Sequence, residues 1–372
     1  MSLKKICTAM ALIVTAAILT IACKNDEETS TSLPYLTGTP RFSVDRYVEA
    51  GSTHTITASE VTNSTGAEVS YTWSATRGSE TMMSNQTTEE EGGRRIEFTF
   101  EGANLRDTLC DFIVTCSASA TGYYGQSYSR TVTTVKDNSL TFEGNGTLDP
   151  GIGTGSVTDA RDGMEYGTIS VNGLEWTADN MAYAGEDSSV GEPLESSEAV
   201  SGLFGRFYTW SEASAVCEGL GASGEWRLPT TDDWNVLGEY LSSADSQEGA
   251  SGDGVWKGVS GKLMTNVYMN GERMWEYWPK VKITNESGFN VMPTGYSTVV
   301  EITTAESTVK NWTFSGINEY AGFWTSTEET PEDGSESTRA YYIYIIDANP
   351  DTSTGLVEKT GFALPVRCVR NL

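Results

Sequence analysis

The sequence predicts a multidomain chain with an exported leader, an all-β sandwich and a larger α+β domain. Three observations point there. Residues 37–136 consist of short alternating runs of Thr, Val, Ile and aromatics, separated by Gly, Asn, Ser and acidic clusters that favour turns. Residues 137–157 carry five glycines between Gly144 and Gly155, plus Pro150, and read as a linker. Residues 158–372 hold nine of the ten tryptophans and two stretches of helical periodicity among short strands, an α+β pattern.

The leader comes first. Lys4 and Lys5 precede an uncharged run over 6–22, rich in Ile, Leu, Val, Ala and Met. It is short for a membrane span, which needs about 20 apolar residues, and suits the apolar core of a secretory signal. The run ends in Leu19-Thr20-Ile21-Ala22-Cys23, with a small residue directly before a cysteine. This resembles a bacterial lipobox, with Thr20 where Leu is commoner. It implies a signal peptide over 1–22 and a lipid anchor on Cys23. Residues 23–36 then form an acidic tether, in which Lys24-Asn25-Asp26-Glu27-Glu28 is similar to the export signal of Bacteroidetes surface lipoproteins. The expected location is the outer membrane, lipid-anchored and exposed at the cell surface. Several acyl chains, at about 0.8 kcal/mol per buried CH₂, make such an anchor firm.

Without residues 1–22 the chain keeps 22 basic against 51 acidic residues, a net charge of −29. So negative a surface repels nucleic acid, and no nucleic-acid partner is expected.

In residues 37–136 the strand-like segments are 54–58, 68–74, 95–100 and 109–118, at a spacing that suits about seven short strands. Val69-Ser70-Tyr71-Thr72-Trp73 followed by Gly78 resembles the Tyr-x-Trp strand of PKD and other immunoglobulin-like domains, although the Cys…Trp…Cys spacing of antibody domains is missing. Cys110 and Cys116, six apart in one strand, would lie about 20 Å apart and cannot pair; both are expected as core residues. His54, the lone histidine, is expected as an ordinary strand residue.

Beyond the linker, Ser211 can cap a helix whose Ala213, Val216, Cys217 and Leu220 share a face and which Gly221 can end. Thr230 or Thr231 can cap a second, with Asp232 and Asp233 in its first turn and Trp234, Leu237 and Leu241 on one stripe.

The order of motifs in this region carries more than periodicity does. Asp159-Ala160-Arg161-Asp162-Gly163 is followed by Leu174-Glu175-Trp176-Thr177-Ala178-Asp179-Asn180-Met181 and by Gly205-Arg206-Phe207-Tyr208-Thr209-Trp210. Trp226-Arg227-Leu228-Pro229-Thr230 with Trp234, Phe323-Trp324-Thr325-Ser326-Thr327-Glu328, and Val366-Arg367-Cys368-Val369-Arg370 complete it. The series resembles the Fibrobacter succinogenes major paralogous domain of secreted and surface proteins. The Arg227…Trp234 segment also resembles the signature of sulfatase-modifying-factor domains, which implies a C-type-lectin-like fold for 158–372. The family resemblance implies extracellular recognition and no defined activity.

Chemistry can be weighed against recognition. A formylglycine-generating oxidase needs a reactive cysteine pair, and a related sulfoxide-forming iron enzyme needs clustered histidines. Residues 158–372 have no histidine and only Cys217 and Cys368, which an oxidising compartment favours as a disulfide. Acidic pairs such as Asp232-Asp233 arise freely among 51 acids and suit a helix N-terminus. No enzyme activity, cofactor or metal site is therefore expected. The expected function is a surface lipoprotein presenting a lectin-like recognition domain for adhesion or for an extracellular glycan or protein ligand. A subunit of a fimbria-like assembly and an enzyme related to sulfatase-modifying factors are the alternatives. Trp256, Trp275, Tyr277, Trp278 and Trp312 form the candidate ligand face, because aromatic rings stack on sugars and fill interface pockets.

Overall fold

A computed structural model describes residues 32–102, 110–136, 138–221, 224–242, 254–275, 281–304 and 308–372. Cys23 lies outside them, as do Tyr277 and Trp278.

The first module is β throughout. One sheet of five strands runs in the order Tyr47–Glu49, Gln126–Val135, Asp111–Ser119, Ser70–Arg77, Glu80–Gln86. Alternation dictates its inner face: Phe112, Val114, Cys116 and Ala118 point inward, as do Tyr71, Trp73 and Ala75. Trp73 is fully buried and its indole donates to the Gly93 carbonyl at 3.0 Å, so the largest core ring leaves no polar atom unmet. Among the described residues, a two-stranded ladder, Thr53–Thr57 with Arg95–Thr99, stands opposite this sheet. Leu36, Phe42 and Val44 complete the core from the non-strand segment before Tyr47. Cys110 and Cys116 are both buried, and burial pushes the Cys116 thiol up to about 12.

The glycine-rich segment, described over 138–157, is laid onto the second module. Leu140–Phe142 pairs antiparallel with Val267–Met269, and Gly153–Thr158 pairs with Glu165–Val171. Between these strands Gly146 N donates to Thr284 O at 2.6 Å, and Tyr240 hydroxyl donates to Asp149 Oδ1 at 2.8 Å. Val135, the last strand residue of the first module, belongs to the main core of the second.

Among the described residues that second module contains four sheets, and its two helices of more than one turn are Trp210–Glu218 and Thr231–Ser242. The first starts two residues earlier than the Ser211 cap requires. Glu212, three residues after Thr209, reaches back to the Thr209 N–H at 2.8 Å, so Thr209 takes the cap, and the helix ends at Gly219 and not Gly221. The second begins after Thr230, whose hydroxyl accepts from Asp233 N at 3.1 Å. Cys217 on the first helix is disulfide-bonded to Cys368, 151 residues later, beside the C-terminal strand Val369–Asn371.

Strand accounts for 43% of the described residues and helix for 13%, which overturns the expected fold class. The protein is a multi-sheet β-rich chain. It is not an immunoglobulin- or PKD-like sandwich joined to an α+β C-type-lectin-like domain. Among the described residues of the first module the second sheet has two strands. In the second module, segments rich in Thr, Val, Ile and aromatic residues form long hairpins, Tyr296–Thr303 with Thr308–Ser315 and Tyr320–Glu328 with Arg339–Ile346. β-Branched and aromatic side chains pack well on a pleated surface and lose rotamer freedom in a helix.

Candidate functional site

The structure separates the tryptophans expected as a ligand face. Trp256 and Trp275 are 2% and 1% exposed, so neither ring face is open to a ligand. Trp256 lies on Gly238 of the second helix, where an added Cβ would stand 2.4 Å from its Cδ1. Trp312, on the edge strand Thr308–Ser315, is half-buried, with Lys310 Nζ 6.0 Å from its ring centre. Tyr277 and Trp278 fall outside the described residues. Large rings go where the core needs area, and here that need outweighs presentation.

The motif residues are packing residues too. Trp176, Trp226, Trp234 and Trp324 are all buried, and Trp176, Trp234, Phe289 and Phe323 form a cluster of mostly edge-on rings. Arg367 is fully buried against the faces of Phe289 and Phe323, at 4.9 and 5.3 Å. It donates to Asn180 Oδ1 at 2.8 Å and to the Phe289 carbonyl at 3.0 Å. Desolvation lowers its pKa to about 10, which leaves it a cation at neutral pH.

The candidate site is instead a cleft of about 1280 Å³ between the modules. One wall comes from the first module: Arg46, Tyr47, Cys110, Asp111, Thr133 and Lys136. Arg46 and Asp111 both bond the Thr133 hydroxyl and lie 3.8 Å apart, and the Arg46 guanidinium sits 5.2 Å from the Tyr47 ring centre. Burial raises the Tyr47 phenol pKa, against an opposing pull from Arg46, so Tyr47 presents a neutral hydroxyl. Burial raises the Cys110 thiol as well, which argues against its use as a nucleophile.

The other wall is a hairpin, Val267–Met269 with Glu272–Arg273, turned by Asn270 and Gly271 at φ 50° and 83°. An Asn-Gly pair at positive φ is the favoured two-residue turn, and this signal in the sequence would have found the hairpin. The turn ties the modules together: Asn270 N donates to Ser139 O at 2.8 Å, and its side-chain amide to Thr134 O at 2.9 Å. Tyr47 N donates to Ser197 Oγ at 3.1 Å beside it. Asn270 Oδ1 and Arg273 Nε are buried with no hydrogen-bond partner among the described residues. Such groups cost about 1–3 kcal/mol each and mark a place where a bridging water or a ligand group would be welcome. With Met269, Met274, Leu140 and Ile317 among these charges, the cleft can hold a polar ligand that also has an apolar side.

The model of the Fibrobacter succinogenes major domain matches residues 169–370, more than half of the chain, and the protein belongs to that family. Comparison with curated proteins and with solved structures finds no match.

Proposed function

We propose that the protein is a lipid-anchored surface protein of the bacterial envelope that binds an extracellular ligand, for adhesion or recognition, in the cleft between its modules. The cleft carries this reading: it is large, both modules wall it, and it joins both charge signs to apolar side chains. Ligand sites favour such junctions. The lipobox-like ending at Cys23 supports the location.

Two measurements test it. Cys23→Ser should move the chain from the membrane to the soluble fraction or leave the leader uncleaved; unchanged fractionation and processing would refute the anchor. Thr141 is exposed on the cleft wall, and Thr141→Trp places a large ring in the opening. On an array of glycans and matrix proteins, the full-length protein in detergent should bind a ligand that Thr141→Trp weakens at least tenfold. Equal binding by both proteins would remove the cleft from the proposal.

A further inference from the structure

A second surface lies on a sheet face in the family domain. Five half-buried rings form a line there: Phe362, Tyr296, Tyr320, Tyr344 and Tyr342. Successive ring centres are 6.1, 5.5, 5.8 and 5.7 Å apart. They come from four strands of two sheets, which meet where Gly295 bridges Ala321 and its N–H donates to the Tyr320 carbonyl at 2.7 Å. Register makes the line: Gly322 stands opposite Tyr344, Tyr342 opposite Gly355, and Thr298 opposite Phe362.

Two glycines decide how the rings lie. A Cβ at Gly355 would stand 2.4 Å from Tyr342 Cε1 and Cζ, so that ring lies down over bare backbone. A Cβ at Gly322 would stand 3.1 Å from Tyr320 Cε1, so Tyr320 leans over its own strand in the same way. The Tyr344 ring is within 10° of parallel to Tyr320 and extends the platform. The inner sides of Phe362, Tyr296 and Tyr342 rest on a core that includes Trp324 and Leu364, which fixes their positions.

We infer that this tyrosine platform is a binding site for a neutral polysaccharide chain. A ring laid flat presents its face, and aromatic faces pack against the C–H faces of sugars while phenol hydroxyls at the rim can donate and accept. A row of rings suits a polymer better than a single sugar, since each further ring adds contact to the same chain. A peptide adding as a strand would need free backbone groups, and on a sheet face these are already paired. The chain's net charge of −27 repels polyanions, and the five platform rings carry no charge to pair with a charged sugar, so the polymer is taken as neutral.

Affinity electrophoresis of the full-length protein in native gels tests this, with glucomannan, xyloglucan, mixed-linkage β-glucan or polygalacturonate cast in the gel. At least one neutral polymer should retard the protein, and polygalacturonate should not. Tyr344→Leu, which keeps apolar bulk, should weaken retardation at least tenfold, and Tyr344→Phe should keep most of it. Ile302→Ser, on the exposed far end of the hairpin that carries Tyr296, and Thr141→Trp in the cleft should leave it unchanged. Far-UV circular dichroism melts on the same samples establish that each variant is folded; an unfolded Tyr344→Leu is replaced by Tyr296→Leu, read the same way. No retardation by any neutral polymer overturns the inference. So does retardation that survives loss of the ring, or that Ile302→Ser abolishes.

Discussion

Gly238→Ala should destabilise this protein, although the same change on an exposed helix would stabilise it. Gly238 is a buried residue of the helix Thr231–Ser242. Replacing an interior helical glycine by alanine ordinarily gains about 1 kcal/mol. Here the new Cβ would stand 2.4, 2.5 and 2.6 Å from Cδ1, Cγ and Nε1 of Trp256. That ring is 2% exposed, so it cannot swing into solvent to make room. Overpacking of this kind costs about 1–3 kcal/mol and exceeds the gain at its upper end. Trp256→Ala should by itself cost about 3–5 kcal/mol, because it empties a core site. In that background Gly238→Ala should regain its ordinary stabilising sign, a coupling of about 2–3 kcal/mol. Urea denaturation of the four proteins, followed by far-UV circular dichroism, measures the cycle. If Gly238→Ala stabilises the parent by about 1 kcal/mol, Trp256 is not packed on that helix, and the reading of it as a core residue falls.

Two further outcomes follow from the same packing. Cys217→Ser with Cys368→Ser, or reduction of the parent, should cost about 2–5 kcal/mol; an identical melting temperature with and without reductant would mean the bridge is dispensable. Asp233 is 8% exposed; burial raises its pKa, but the Arg227 guanidinium and the Thr230 N–H and hydroxyl overcome this and hold it below the ordinary value. A folded value below the unfolded one means the contribution is present above about pH 3.9 and is lost as pH falls through the folded value. Asp233→Asn should therefore cost about 1–2 kcal/mol at pH 7 and progressively less in acid, visible as a flatter acid limb in stability against pH. A constant difference from pH 7 to 2 would show that ionisation plays no part.

Local chemistry was legible along the chain. Thr230 followed by Asp232 and Asp233 marked a helix start because capping involves only a few neighbouring residues. Cys217 and Cys368 left few partners to choose among, and the pair is bonded. The order of short motifs was enough to place the family, since those motifs are core segments, with Trp176, Trp226 and Arg367 buried. Fold class was not legible in the same way: the C-terminal segments become strands through partners far along the chain, as in the pairing of Ser297 with Ala363. Nor does an indole's composition say which side it faces; Trp256 and Trp275 are buried because a helix and several strands close over them. The tyrosine line is the converse case. Tyr296, Tyr320, Tyr342 and Phe362 are scattered over 67 positions, and only cross-strand register with the missing side chains of Gly322 and Gly355 lays them in one row. Register is a property of paired strands, so that surface exists only in the tertiary structure.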